Sequence, residues 1–92
     1  MKHTPRNIIY HELIGLHTRI LSSPDPQIIG LEGTIVWETA RTLIIHTNNS
    51  RKKILKRATT FLITLPDGRK VKVQGDLILG SPEERVKRMG RR

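Results

Sequence analysis

Hydrophobic positions along the chain fall into short β-branched runs separated by polar breaks, and the clearest pair of runs lies at its centre. Thr34 to Trp37 and Thr42 to Thr47 flank Glu38-Thr39-Ala40-Arg41, which is the spacing of two antiparallel strands joined by a short turn. Ile35 and Trp37 share one face of the first strand and Val36 takes the other, while Leu43 and Ile45 oppose Ile44 in the second. Apolar residues on both faces predict cover on both faces, with Trp37 in the interior. In 92 residues the economical solution is a mainly β fold, a small, strongly bent antiparallel barrel with a short helix at each end of the chain. Gly30 and Gly33 lie where a barrel strand would turn its corner. An ordinary open meander is the alternative.

The flanking segments extend this pattern. Leu16 to Ser22 reads as a strand, and Ser23-Pro24-Asp25-Pro26 as a loop, because two prolines remove donors and fix the backbone. Asn48 to Lys53 has a turn composition that runs into Ile54-Leu55-Lys56-Arg57. Thr60 to Leu65 and Arg69 to Gln74 flank Pro66-Asp67-Gly68 and form a second hairpin. Its return strand points Lys70, Lys72 and Gln74 outward and Val71 and Val73 inward. After a bend at Gly75, Leu77 to Leu79 is expected to close the sheet.

Two short helices bracket these strands. Thr4-Pro5 is a helix start, and Ile9 and Leu13 fall one turn apart before Gly15, which predicts an amphipathic helix from about 5 to 13. Ile9 and Leu13 suit core packing, and Ile8 and Tyr10 point elsewhere around the helix; the four are the candidate surface for a protein partner. Ser81-Pro82-Glu83-Glu84 is a capping box that opens a helix of about 82 to 89. The chain is thus expected to be a single domain over 1–92, with the barrel from about 16 to 79.

Length allows one modest core, burying about 60 to 65 % of the surface of the unfolded chain. The absence of cysteine excludes disulfides and thiolate metal ligation. No apolar run approaches the roughly 20 residues of a membrane span, and Met1 to Asn7 lacks the apolar centre of a signal peptide, so a cytoplasmic protein is expected.

Charge divides the chain in two. Through Ser50, Lys2, Arg6, Arg19 and Arg41 balance Glu12, Asp25, Glu32 and Glu38; from Arg51 onward thirteen basic residues face four acidic ones, so the second half carries the entire net charge of +9. Such asymmetry fits a chain that turns one surface to phosphates and another to protein. Lys52, Lys53, Lys56 and Arg57, then Arg69, Lys70 and Lys72, then Arg85, Lys87 and Arg88 are the candidate RNA contacts.

Catalytic constellations are missing. His11-Glu12 resembles the start of a zinc-protease motif, but Gly15 occupies the place of the second histidine. His3, His17 and His46 stand alone, and Glu83-Glu84 is explained by its helix start. Tyr10, Trp37 and Phe61 sit in apolar settings and read as core, which argues against base-by-base stacking of single strands. No catalytic residue, metal ligand set or cofactor site is expected in this chain.

His11-Glu12-Leu13-Ile14-Gly15-Leu16, Gly30-Leu31-Glu32-Gly33, Glu38-Thr39, Thr42-Leu43, Phe61, Leu65-Pro66-Asp67-Gly68, Gly75 and Pro82-Glu83-Glu84-Arg85, in this order and spacing, together resemble archaeal ribonuclease P protein component 1. Ser81, where the family usually has arginine, and Arg41, where asparagine is expected, depart from it. The resemblance covers nearly the whole chain and implies an Sm-like barrel with flanking helices. It also implies a protein subunit of the ribonucleoprotein that removes the 5′ leader from precursor tRNA, with the RNA subunit performing the cleavage with magnesium ions. The protein would bind and stabilise that RNA and pair with a zinc-ribbon protein subunit, among other ribonuclease P proteins. Composition alone equally supports a ribosomal or ribosome-associated small-barrel protein that binds rRNA, and an independent nuclease is a third possibility.

Overall fold

The computed structural model describes residues 13–85. Six antiparallel strands follow one another: β1 (His17–Ser22), β2 (Glu32–Glu38), β3 (Thr42–Thr47), β4 (Ser50–Leu55), β5 (Thr60–Thr64) and β6 (Lys70–Gln74). They form one sheet in the order β4-β3-β2-β1-β5-β6. The sheet does not close on itself; β4 and β6 are its two edges. All six strands nevertheless feed one core, through Ile20, Ile35, Leu43, Ile45, Ile54, Phe61, Ile63 and Val73, joined by Leu13, Leu65 and Ile78 from the connecting segments.

Both expected hairpins are present. β2 and β3 pair around Thr39–Arg41, with the Thr39 hydroxyl accepting from the Thr42 amide at 3.1 Å. β5 and β6 pair around Pro66–Gly68, and Lys70, Lys72 and Gln74 point outward while Val73 is buried. The stretch that reads as a turn through Lys53 is instead strand β4. Asn48 and Asn49 both take positive φ, 47° and 63°, as a primed two-residue hairpin turn requires, so the return strand begins at Ser50. Asparagine tolerates this backbone better than other side-chain-bearing residues.

Trp37 is not in the interior but 60 % exposed. Ile35 pairs with Ile45 and Trp37 with Ile44, so two steps on β2 meet one on β3. This bulge at Val36 inverts the alternation beyond it, turning Trp37 out and Glu38 in.

The expected closing strand is also absent. Gly75–Ile78 is a 3-10 helix, and the chain leaves the ladder at Gly75 because the corner between β4 and β5 lies against it. The Gly75 amide donates to Thr59 at 2.7 Å, and a Cβ at Gly75 would collide with the Lys56 carbonyl. The following segment crosses to the β2–β3 turn, where Gly80 N–H donates to the Ala40 carbonyl at 2.8 Å. The capping box forms as expected: Glu84 N–H donates to the Ser81 hydroxyl and Ser81 N–H to the Glu84 carboxylate, each at 3.2 Å, with helical backbone over 82–85. The helix expected at 5–13 lies outside the described residues except Leu13, as does the 86–89 part of the last helix.

Candidate nucleic-acid interface

A buried ion network determines which cations remain available to a ligand. Glu38, turned inward by the bulge, receives Lys56 Nζ at 2.7 Å on Oε2, and Arg85 grips both of its oxygens, Nη1 on Oε2 and Nη2 on Oε1 at 3.2 Å. The same cations satisfy carbonyls of the crossing segment: Lys56 Nζ reaches Gly80 at 3.0 Å, and Arg85 Nη1 reaches Gly80 at 2.8 Å and Ile78 at 3.3 Å. Lys56 is 0 % and Arg85 1 % exposed. Burial pushes the Lys56 ammonium below its ordinary pKa, and the hydrogen bond to Glu38 works against that shift.

Lys56 and Arg85 are therefore removed from the expected RNA surface, since a cation enclosed by protein cannot reach a phosphate. Leu13 likewise leaves the expected partner surface, because it is fully buried in the core. Ile8, Ile9, Tyr10, Lys87 and Arg88 lie outside the described residues.

Lys52, Lys53, Arg57, Arg69, Lys70 and Lys72 are exposed. Arg69 holds Asp67 at 2.7 Å across the β5–β6 turn, and hydrogen bonds from the Arg69 backbone and side chain keep the Asp67 carboxyl below its ordinary value. The ladder does not join the cations of β4 to those of β6, which sit on opposite edges. The outer face of the sheet connects them instead. One register row runs Lys70, Thr64, His17, Thr34, His46, Arg51 across all six strands. A second runs Lys72, Leu62, Arg19, Glu32, where Glu32 also lies 3.3 Å from His17 Nε2.

His17, Arg19 and His46 lie outside the dense basic clusters of the sequence, and the alternation of polar and apolar residues along β1 and β3 is their signal; Arg51 directly precedes Lys52-Lys53 and stands on β4, in a stretch whose composition reads as a turn. Among the described residues no group of acidic, histidine or cysteine side chains is arranged to hold a metal ion.

Comparison with known proteins gives this surface a context. Residues 6–88 match the family model for ribonuclease P/MRP, subunit p29. The ribonuclease P protein component 1 of Staphylothermus marinus is 47% identical over 99% of this chain and 100% of that protein. That of Hyperthermus butylicus is 48% identical over 99% of this chain and 83% of its own length. Among solved structures, Mth11, a homologue of the human RNase P protein Rpp29, superposes with a TM-score of 0.61 at 36% identity, covering 80% of this chain and 96% of that one.

Proposed function

The chain belongs to the ribonuclease P/MRP subunit p29 family and is a protein subunit of ribonuclease P, and we propose that within this particle it binds and stabilises the folded RNA subunit. The observation that carries the reading is the family match over residues 6–88. The exposed cations of β4, β6 and the outer sheet face supply the chemistry. They offer charge and hydrogen-bond donors to phosphate oxygens, which give affinity and orientation with little sequence information. The chain is not catalytic alone; the RNA subunit would cleave the 5′ leader from precursor tRNA, using magnesium ions, in the cytoplasm. The ribosomal alternative gains nothing from the comparisons, all of which name ribonuclease P.

The finer architecture belongs to the same proposal. An Sm-like barrel fits a sheet whose six strands share one core, and the start of its C-terminal helix fits the capping box at Ser81. The protein partner would be a zinc-ribbon subunit, held by the N-terminal segment through Ile8, Ile9 and Tyr10, a reading supported by the neutral charge of the first half of the chain.

Reconstitution tests the function directly. Ribonuclease P RNA and the other protein subunits, assembled with and without this chain, should differ in precursor tRNA cleavage at limiting magnesium. Equal cleavage in both assemblies, together with no measurable binding of the chain to the RNA, would refute the reading.

A further inference from the structure

Exposed Trp37 is the feature that the fold and the ion network leave unexplained. The bulge at Val36 does two things in one step, sending Glu38 inward to its cations and Trp37 outward to solvent. On β3 the indole is paired with half-buried Ile44, and Ile44 is paired on β4 with Lys53. Leu55, 64 % exposed, lies two residues along β4 on the same side, opposite Thr42. Trp37, Ile44 and Leu55 thus form an apolar strip on the outer face rather than isolated exposed residues.

Cations flank the indole end of this strip, while Asp25 lines the pocket that Lys53 and Leu55 share at its other end. Lys53 stands in the same register row as Trp37, two strands or about 10 Å away. Arg41 is exposed in the adjoining β2–β3 turn, and Arg51 lies two residues before Lys53 on the same face. The one carboxylate beside the indole in sequence, Glu38, is withdrawn into the interior. Among the described residues, no carboxylate stands in the rows through Trp37 or Leu55. A flat π-face set among cations matches a nucleotide, with its aromatic base and anionic phosphate, better than it matches a neutral apolar peptide.

We propose that Trp37 is a stacking platform for an unpaired RNA base whose neighbouring phosphates are held by Lys53 and Arg41. This rests on the RNA-binding reading above and deepens it, adding contact with an unstacked nucleotide to recognition of backbone and shape. Ile44 supports the indole from the adjacent strand, and Leu55 extends the apolar surface on which the base and its sugar lie.

Trp37 is the chain's only tryptophan, so its fluorescence reads the site without a label. Titration of the full chain with ribonuclease P RNA alone should quench the indole and shield it from acrylamide. Trp37→Ala should weaken RNA binding about 5-fold or more, the usual effect of removing an aromatic ring on which a base stacks, while leaving the salt dependence unchanged. Trp37→Phe should retain most of the affinity. Lys53→Ala should flatten the salt dependence instead.

RNA binding of normal affinity by Trp37→Ala, with the parent indole still open to acrylamide in the complex, would overturn the proposal and leave the RNA-binding reading standing. Shielding that arises only when a protein subunit is added would reassign the strip to a protein contact and also overturn it. Failure of the chain to bind the RNA at all would remove both readings together.

Discussion

Glu38 is a single buried carboxylate shared by two buried cations, so the network depends on it more than on either partner. Removing it leaves Lys56 and Arg85 charged and enclosed, the situation in which breaking a buried pair costs about 3 to 5 kcal/mol. Glu38→Ala should lose stability of that order in urea unfolding, and a loss below about 1 kcal/mol would show the network to be dispensable. Trp37→Ala should by contrast stay within about 0.5 kcal/mol of the parent, as for other surface positions, where a buried tryptophan would cost about 3 to 5. The sequence could not separate these two residues. Regular alternation places Trp37 beside Ile35 in the core, and only the extra residue at Val36 reverses it. Lys56 and Arg85 were illegible for a related reason. Each sits among other cations in the sequence, and its burial depends on a carboxylate 18 residues away for Lys56 and 47 for Arg85.

At the scale of elements, local chemistry was legible and long-range closure was not. Both hairpins and the capping box follow from neighbours in sequence, and all three are present. Strand β4 was hidden because Lys52, which falls on the inward side opposite Ile45, is exposed at the open edge and blurs the alternation of Arg51, Lys53 and Leu55. The missing closing strand depends on the close approach of Gly75 to the Lys56–Thr59 corner, which no local pattern encodes. The capping box also anchors Arg85, whose amide donates to the Ser81 carbonyl at 3.0 Å. Ser81→Ala should therefore cost about 0.5 to 2 kcal/mol, the usual effect of removing an N-cap. Thermal unfolding measures it, and an unchanged midpoint would show that the buried guanidinium alone holds this helix start.

At the scale of the whole molecule, the charge asymmetry of the sequence persists, but the surface it creates differs from a simple sum of basic clusters. Burial withdraws Lys56 and Arg85 from that surface, while β1 and β3 add His17, Arg19 and His46 to its outer face. Cations that touch phosphates contribute to the salt dependence of RNA binding, whereas buried cations contribute to stability. Lys53→Ala, Lys72→Ala and Arg19→Ala should each reduce the slope of log affinity against log salt by roughly 0.7 to 0.9 for every phosphate no longer neutralised. Lys56→Met should destabilise the fold and leave that slope unchanged at temperatures where the variant remains folded. Filter binding over a range of salt concentrations, paired with unfolding curves for the same four proteins, separates the two classes. A reduced slope for Lys56→Met, or parental slopes for all three surface variants, would show that the RNA lies on a different face of the sheet.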